Sequence, residues 1–324
     1  MKVLHVTPHL GGGIGTVAMA WLDRVKGHTV ACLDFVNNKV RAYLSGKEFF
    51  IFGHMIENLV FLRKLIEEAD IVVVHYWDSS FLKRLFAEDL PESRMVFWVH
   101  KNYWVKPEIA AYPDLILGVS PIQQFDNFIW SCGDVGRFLQ IEPKEHKGFN
   151  VGYIGTVDFK KIHPEFLGMC EAIQVPGIHF TIVGENNIGG INNDKFTFTG
   201  KVDDVAPYLA GLDVFGYPLR ANHYGTAEQV IGEAMCAGIV PVCMANPAER
   251  TIVDDHHNGF LANDEAEYIA RIEWLANHPI QRKVMGERAR RDAGAIYEID
   301  YMVKAWEGVF ERLMCQPKTK KGTL

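Results

Sequence analysis

Short apolar runs rich in β-branched residues recur along this chain, and most are followed by a stretch with the wider apolar spacing of a helix. In the first half, strands are predicted at residues 3–7, 28–33, 71–75, 95–100 and 115–119, with an amphipathic helix at 56–69. Buried strands that alternate with helices form parallel sheets through right-handed crossovers. The first half is therefore predicted to be an open α/β sheet.

A second alternation begins after the pattern fails between residues 129 and 148. Its predicted strands are residues 151–154, 179–183, 214–217 and 240–244. The prediction is thus an α/β protein with two Rossmann-like domains, over residues 1–145 and 146–296. A helix over 297–315 is predicted to pack back on the first domain, and residues 316–324 are predicted to be a disordered basic tail.

Composition narrows the classes of function. The chain has 324 residues, 48% hydrophobic and 23% charged, which suits a globular protein of two domains. A net charge of −7 argues against nucleic-acid binding through overall charge. The six cysteines form no CxxC pair and are interpreted as reduced thiols. No run reaches about 18 apolar residues, so a cytoplasmic location is predicted, with peripheral membrane contact left open.

A cluster of glycines at residues 11–15 lies between the first predicted strand and the first predicted helix. Backbone amides in such a loop can approach an anion or a sugar without obstruction by side chains. The cluster is not a dinucleotide fingerprint, because Thr16 stands where the third glycine of that motif belongs. A flexible turn without function is the alternative interpretation.

The segment from residue 217 to residue 242 carries the strongest signal. A strand ends at Tyr217, a polar loop follows, and a helix is predicted to open at Gly225-Thr226 and to stop at Gly238. Glu233 lies within this helix, and its carboxylate oxygens could accept hydrogen bonds from a ribose diol. The helix start would offer amides and partial positive charge to a diphosphate.

With these motifs in place, the sequence resembles the retaining, nucleotide-sugar-dependent glycosyltransferases of the GT-B fold (glycosyl transferases group 1, family-4-like). The resemblance covers nearly the whole chain and rests on the order of the glycine loop and of the segments VFWVHKN, LILGVSP, VGYIGTVDFKK, FTIVGEN, FTGKVDDVAPYLAGLDVFGYP, GEAMCAG and IVDDHHNGFL. It implies two domains that face each other across a cleft, the first binding the acceptor and the second the nucleotide sugar.

The resemblance also implies the chemistry. A hexosyl group would pass from a nucleoside-diphosphate sugar to an acceptor hydroxyl with retention of configuration. Neither a metal nor a cofactor would be needed beyond the donor as co-substrate. The acceptor would be a saccharide, a lipid-linked molecule or a small molecule.

Site residues follow from the resemblance position by position. His100 corresponds to the histidine that contacts the donor sugar or assists at the reacting centre, Lys161 to the lysine that neutralises the diphosphate, and Glu233 to the carboxylate that binds ribose. The full set of expected donor-binding residues is Gly12, Gly13, Lys161, Gly200, Lys201, Val202, Arg220, Tyr224, Gly225, Thr226 and Glu233.

Two positions depart from the family pattern. Thr156 stands where the family commonly has an arginine, and Gly225 stands where it usually has an acidic residue that addresses the donor sugar. Some relatives share the Tyr-Gly-Thr variant, and Glu228 is another candidate for the sugar contact. Residues that could supply the missing charge are Arg220, Lys160 and His223. The departures keep open a protein that binds nucleotide sugar or a partner without turnover, and a GT-B sugar epimerase is a third interpretation.

Structural roles remain open for several of these residues. His75 and His100 both end predicted buried strands, where a histidine often serves only packing. Lys160 and Lys161 could be a solvated pair at a helix start. The run of two aspartates and two histidines at residues 254–257 is better explained as a polar turn than as a metal site.

Overall fold

The computed structural model describes residues 1–53, 55–101, 105–123, 125–133, 135–189 and 193–321. It divides into two compact units. Unit 1 comprises Met1–Asp134 and Ile299–Leu324, and unit 2 comprises Val135–Glu298. Within the described ranges, no helix is long and apolar enough to cross a membrane.

Unit 1 contains a six-stranded sheet in the order β3-β2-β1-β4-β6-β7, in which every neighbouring pair is parallel. This order is the doubly wound arrangement of Rossmann folds. The elements of unit 1 are β1 (Val3–Leu10), α1 (Gly12–Leu22), β2 (His28–Val36), α2 (Asn38–Leu44), β3 (Phe49–Ile51), α3 (Met55–Glu68), β4 (Ile71–Tyr76), α4 (Ser80–Phe86), β5 (Leu90–Ser93), β6 (Met95–Val99), α5 (Pro107–Ala110), β7 (Leu115–Gly118) and, after unit 2, α12 (Ile299–Met314) and β14 (Thr319–Lys321).

Unit 2 repeats this arrangement with the order β10-β9-β8-β11-β12-β13, again with parallel neighbours. The prediction of two Rossmann-like sheets is therefore confirmed. The elements of unit 2 are α6 (Gly136–Leu139), β8 (Phe149–Ile154), α7 (Phe166–Ala172), β9 (Ile178–Val183), β10 (Phe196–Gly200), α8 (Ala206–Leu209), β11 (Val214–Tyr217), α9 (Gln229–Cys236), β12 (Val240–Met244), β13 (Phe260–Ala262), α10 (Glu265–Asn277) and α11 (Pro279–Ile296).

Helix α12 returns to unit 1 and completes its core, as predicted. Its buried Trp306 lies 4.8 Å, between ring centres, from Trp21 of α1 and 5.3 Å from Trp98 of β6. All three indoles are 1% exposed or less. Burial of large aromatic side chains contributes strongly to stability, so this cluster fixes the helix on unit 1.

The prediction of a disordered tail is wrong for residues 319–321. These residues form β14, which pairs in antiparallel fashion with β5. The side chain of Lys321 is 4% exposed, and its Nζ lies 2.6 Å from Oδ1 of Asp114. Lysine side chains are usually exposed to solvent, and this ion pair compensates for the burial of the Lys321 charge. Residues 322–324 of the predicted tail lie outside the described residues.

The predicted glycine loop is largely helix. Helix α1 begins at Gly12, directly after the N-cap Gly11, so Gly12, Gly13 and Gly15 belong to its first turns. A Cβ built on Gly15 would lie 2.8 Å from a methyl carbon of Val40. Close packing against α2 therefore explains why residue 15 is glycine. Gly12 has φ +55°, a conformation that glycine adopts without strain.

Candidate donor site

The sheet of unit 2 has a switch point between β8 and β11. From β8 the strand order runs one way through β9 and β10, and from β11 the other way through β12 and β13. Ligands of open α/β sheets bind beyond the carboxyl ends of the strands at such a point. Lys161 lies in the segment after β8, and residues 218–228 form the segment after β11. Residues far apart in sequence therefore meet at one edge of the sheet.

Backbone hydrogen bonds hold these two segments together. The N–H of Arg220 donates to the carbonyl of Lys161 at 3.0 Å, and the N–H of His163 donates to the carbonyl of Pro218 at 2.9 Å. The exposed guanidinium of Arg220 donates to the carbonyl of Phe159 at 3.0 Å. The structure thus places two of the predicted donor-binding cations side by side.

A buried carboxylate lies next to Lys161. The side chain of Glu228 is 3% exposed, and its Oε2 lies 3.2 Å from Nζ of Lys161. The hydroxyl of Tyr217, the last residue of β11, donates to the same oxygen at 2.6 Å. Because a buried charge is costly unless it is paired, these contacts are what allow an ionised Glu228 in the interior. The side chain of Lys161 retains 16% exposure, so its ammonium can also meet a ligand phosphate.

The environment keeps Glu228 ionised. Burial by itself raises the pKa of this carboxyl, but the positive charge of Lys161, together with the hydrogen bonds from Tyr217 and Lys161, outweighs burial and holds the pKa below its ordinary value. Burial, with the Glu228 charge added, raises the pKa of Tyr217 well above its ordinary value, so its hydroxyl keeps its proton. Glu228 also has φ 29° and ψ 56°, a left-handed conformation that costs a residue with a side chain about 1–2 kcal/mol. Such strain concentrates at functional sites.

His223 connects Glu228 to a second buried carboxylate. Its Nδ1 lies 3.8 Å from Oε1 of Glu228 and accepts the N–H of Gly225 at 3.1 Å. Nε2 is therefore the protonated nitrogen, and it lies 3.2 Å from Oε2 of Glu249, which is completely buried. Asn246 donates to Oε1 of Glu249 at 3.3 Å. Sequence analysis missed Glu249, and its position shortly after β12 is the signal that could have found it.

The prediction that a helix opens at Gly225-Thr226 is wrong. Helix α9 begins at Gln229, and Glu228 is its N-cap. The amide of Gly225 is bound to His223, and the left-handed backbone at Glu228 prevents an earlier helical turn. Thr226 is 4% exposed and lies in the loop. Its amide is therefore not part of a helix terminus.

The carboxylate of Glu228 occupies the space beside Gly225. A Cβ built on Gly225 would lie only 1.5 Å from Oε1 of Glu228. Glu228 therefore fills the volume that a side chain at position 225 would take. This geometry explains why the chain has glycine here.

Three glycines lie at the carboxyl ends of neighbouring strands of the same sheet. Their φ values are 153° at Gly155, 141° at Gly184 and 69° at Gly200. A Cβ at Gly184 would lie 1.8 Å from the carbonyl oxygen of Gly155, and the N–H of Gly184 donates to the carbonyl of Gly200 at 3.0 Å. Only glycine permits this approach. The exposed Lys201 and the partly buried Val202 follow directly, at the end of the edge strand β10.

The remaining residues predicted in unit 2 lie on or near α9. Glu233 is partly buried on that helix, which ends at Cys236 before Gly238, whose φ is 78°. The predicted stop is thus confirmed. Tyr224 lies in the loop after β11 and is 43% exposed.

The predicted residues of unit 1 lie at the carboxyl edge of its sheet. Gly12 and Gly13 follow β1, and His100 follows β6, with β4 between these strands. Nε2 of His100 lies 3.0 Å from Nδ1 of His75. Burial, with a contribution from His75, lowers the pKa of His100 well below its ordinary value. The ring is therefore neutral at pH 7.

Residues 254–259 form the predicted polar turn. The carbonyl of Asp254 accepts the N–H groups of His257 and Asn258 at 3.0 and 3.1 Å. The N–H of Asp254 donates to Oδ1 of Asn258 at 2.8 Å. Among the residues that the structure describes, no group of three or more His, Cys, Asp or Glu side chains is placed to hold a metal ion.

Comparison with known proteins shows which family and which solved structures this chain is similar to. Residues 148–278 match the family described as glycosyl transferases group 1. HepE of Anabaena, crystallised with UDP-glucose, superposes with a TM-score of 0.74 at 14% identity, covering 96% of this chain and all of that one. A glycosyltransferase of Rickettsia africae gives 0.74 at 12% identity over 97% and 98% of the two chains. Sucrose-phosphate synthase of Thermosynechococcus elongatus gives 0.71 at 14% identity over 97% and 100%. No curated protein sequence matches.

The family match and the structural matches both point to the glycosyltransferases. The matched residues 148–278 lie entirely within unit 2, so the similarity to glycosyl transferases group 1 is a similarity of that unit. The resemblance to glycosyltransferases of the GT-B fold seen in the sequence is thereby confirmed.

Proposed function

We propose that this protein transfers a hexosyl group from a nucleoside-diphosphate sugar to an acceptor hydroxyl. The observation that carries the proposal is the Lys161–Glu228 pair at the switch point of unit 2, where a cation accessible to ligand and a buried carboxylate are held together at 3.2 Å. A cation suits a diphosphate, and a carboxylate suits sugar hydroxyls. The crystals of HepE with UDP and with UDP-glucose support a uridine nucleotide as the first donor to test.

In this proposal unit 2 binds the donor. Lys161 and the neighbouring Arg220 stabilise the negative charge that develops on the departing diphosphate, which is the main electrostatic demand of the reaction. Glu233 accepts hydrogen bonds from the ribose, and Glu228 orients the transferred sugar. The base lies against the backbone of residues 200–202.

In this proposal unit 1 binds the acceptor and contributes His100. We further propose that configuration is retained, with the departing phosphate helping to remove the acceptor proton. Lys161 would supply the charge that a metal ion supplies in other transferases. The free thiols of the six cysteines accord with a cytoplasmic location. The acceptor, as a saccharide, a lipid-linked molecule or a small molecule, and any peripheral membrane contact stay predictions.

A donor screen tests the function. Nucleoside diphosphates and their sugars should raise the melting temperature of the protein, because a ligand that binds only the folded state stabilises it. Glu233→Ala should weaken nucleotide binding by about tenfold or more, since charged hydrogen bonds contribute about 1.5–3 kcal/mol. Isothermal titration with UDP and UDP-glucose measures the change. The anomeric configuration of the product, with and without chelator, tests retention and metal independence.

Glu273→Ala is a matched control, because Glu273 lies on α10 and its carboxylate contacts the backbone N–H of Gln174 at 2.7 Å. It should leave nucleotide binding unchanged. Equal affinities for the two variants would refute the ribose role of Glu233. Tight nucleotide binding without turnover on any acceptor would instead favour a binding protein, and turnover of the donor without an acceptor would favour an epimerase.

Gly225→Ala should reduce both stability and donor affinity. The new Cβ would overlap Oε1 of Glu228, so the buried carboxylate must leave Lys161 and Tyr217. Overpacking of this kind typically costs about 1–3 kcal/mol. Urea unfolding and nucleotide titration measure the two effects. Gly46→Ala is a comparison variant. Gly46 is exposed and a Cβ there meets nothing within 4 Å, so this variant measures only the cost of a left-handed backbone.

A further inference from the structure

Two solvent-accessible rings occupy neighbouring positions at the carboxyl ends of β1 and β2. His9 and Phe35 are register partners on these parallel strands, so both side chains are on the same face of the sheet. Phe35 is 56% exposed, which is more than any other phenylalanine of the chain. Strand β1 also borders the switch point of unit 1, which lies between β1 and β4. The two rings are therefore at the edge where such sheets bind ligands.

The space beside Phe35 is kept clear by glycine. A Cβ built on Gly11 would lie 3.8 Å from Cε1 of Phe35, and a Cβ built on Gly12 would meet nothing within 4 Å. The backbone of Phe35 is also fixed, because its carbonyl accepts a hydrogen bond from the thiol of Cys32, with 3.3 Å between oxygen and sulfur. A fixed aromatic ring beside open backbone gives a flat ligand an apolar surface on which to stack.

Asn37 brings an amide donor to the same place. Its Oδ1 accepts the N–H of Val40 at 2.8 Å and so caps α2, and its own N–H donates to the carbonyl of Leu10 at 2.9 Å. Its Nδ2 lies 3.8 Å from the Cβ position of Gly11. Among the described residues this amide nitrogen has no hydrogen-bond acceptor, so both of its hydrogens are left for a ligand or for water.

His9 presents a neutral ring beside Phe35. Burial is the main effect and lowers the pKa of His9, while the charge of Asp34 raises it and that of Lys101 lowers it. Nδ1 of His9 is buried and has no hydrogen-bond partner among the described residues, so we place the single hydrogen of the ring on Nε2. Trp77 packs against the ring, with 4.6 Å between the ring centres. The accessible part of His9 is then a hydrogen-bond donor.

These groups together suit a pyranose ring. One face of a pyranose carries C–H groups that pack against an aromatic ring, and its edge carries hydroxyls that both donate and accept hydrogen bonds. Phe35 offers the apolar surface, and His9 and Asn37 offer donors. The exposed carboxylate of Asp34, near His9, offers an acceptor. A lipid chain would leave these polar groups unpaired, and a phosphate would meet the negative charge of Asp34.

We propose that Phe35, His9 and Asn37 form a saccharide-binding subsite at the carboxyl edge of unit 1. A pyranose stacks on Phe35. Its hydroxyls bind Nε2 of His9, Nδ2 of Asn37 and the carboxylate of Asp34. The subsite rests on the proposed function for its role, which is to hold the acceptor, and it specifies that acceptor as a saccharide. These side chains only bind and orient, so the acceptor proton still passes to the departing phosphate.

Saturation-transfer NMR, which detects the signals of a bound sugar, tests the subsite without any measurement of activity. The probes are the methyl pyranosides of glucose, galactose, mannose and N-acetylglucosamine, and at least one of them should bind the full-length protein. Phe35→Leu keeps an apolar side chain but no flat ring, so it should weaken that binding by about tenfold. Phe35→Tyr keeps the ring and should bind normally.

Two further variants separate binding from structure. Asn37→Asp keeps a residue that caps α2 well but removes the amide donor, so it should weaken pyranoside binding and leave the free energy of unfolding nearly unchanged. Tyr301→Ala is the matched control, because Tyr301 is an aromatic residue of α12 in unit 1 that is 65% exposed. It should bind the same pyranoside with unchanged affinity.

Turnover tests the role of the subsite. With a saccharide acceptor, Phe35→Leu should raise the KM for the acceptor about tenfold, while kcat and the KM for the donor change little. A merely structural change would lower kcat or donor affinity as well. A lipid-linked acceptor and the free saccharide that it carries should respond equally to Phe35→Leu, because the same sugar ring occupies the subsite.

The outcomes distinguish the subsite from the proposed function. If no pyranoside binds, or if Phe35→Leu and Tyr301→Ala bind alike, the subsite is wrong. If turnover proceeds only with acceptors that lack a sugar ring, the assignment of a saccharide acceptor is wrong. If pyranosides bind in a way that depends on Phe35 but no donor and acceptor pair reacts, the proposed function fails and the subsite stands. Thermal melts should show that each variant is folded, because Phe35 is largely exposed.

Discussion

Replacing Lys161 by methionine is expected to destabilise unit 2 by about 3–5 kcal/mol, because it leaves the carboxylate of Glu228 buried and without its ammonium. This loss is a large part of the unfolding free energy of a typical protein, which is about 5–15 kcal/mol. Tyr217 alone cannot compensate for the lost charge. Urea unfolding measures the loss, and nucleotide titration should show that donor affinity falls as well.

A second substitution separates stability from binding. Lys161→Met combined with Glu228→Gln removes both charges, while Tyr217 can still donate to the amide oxygen. The double variant should regain most of the stability but should not regain donor affinity. If Lys161→Met is as stable as the unchanged protein, the ion pair does not form in solution. If the double variant binds donor normally, the proposed diphosphate role of Lys161 is wrong.

Unit 1 is expected to lose about 5–6 kcal/mol of stability between pH 7.5 and pH 5.5. Burial lowers the pKa well below the ordinary value in four histidines of unit 1 that contact one another through their rings, namely His5, His28, His75 and His100. They are neutral in the folded state but ionise near pH 6.5 when unfolded. Below pH 6.5 the unfolded state therefore binds more protons. Each ring costs about 1.4 kcal/mol per pH unit there, so stability is complete above pH 6.5 and falls as the pH falls.

Intrinsic tryptophan fluorescence during urea unfolding follows this loss, because Trp21, Trp98 and Trp306 all lie in the core of unit 1. His75→Gln should reduce the pH slope by the contribution of one ring, and His179→Gln should leave it unchanged. A slope that is the same in all three proteins would show that the buried rings are already protonated at pH 7.5 or that they do not titrate on unfolding.

The sheets could be predicted from the sequence because their central strands are buried on both faces and appear as continuous apolar runs. The strands that were missed lie at edges or are short. β3 and β13 have three residues each, and β10 alternates phenylalanine with threonine. Such segments depend on the neighbouring strand for their hydrogen bonds, so local composition indicates them poorly.

The site was harder to predict because its contacts depend on register and on loop geometry. Lys161 could be found through the family resemblance, but the sequence does not show that Glu228 adopts a left-handed backbone and fills the space beside Gly225. His28, His5 and His75 each resemble an ordinary buried histidine. Only the strand order of unit 1 brings these rings into contact with one another and with His100.

The return of α12 to unit 1 has a consequence for biosynthesis. Trp306 and Phe310, which cover Trp21, are made only after all of Val135–Glu298 has been translated. Unit 2 can therefore fold before the last helix of unit 1 has been made. Of the two units, the one whose sheet is translated first is completed second. During that interval the indole of Trp21 is an exposed apolar surface to which a chaperone can bind.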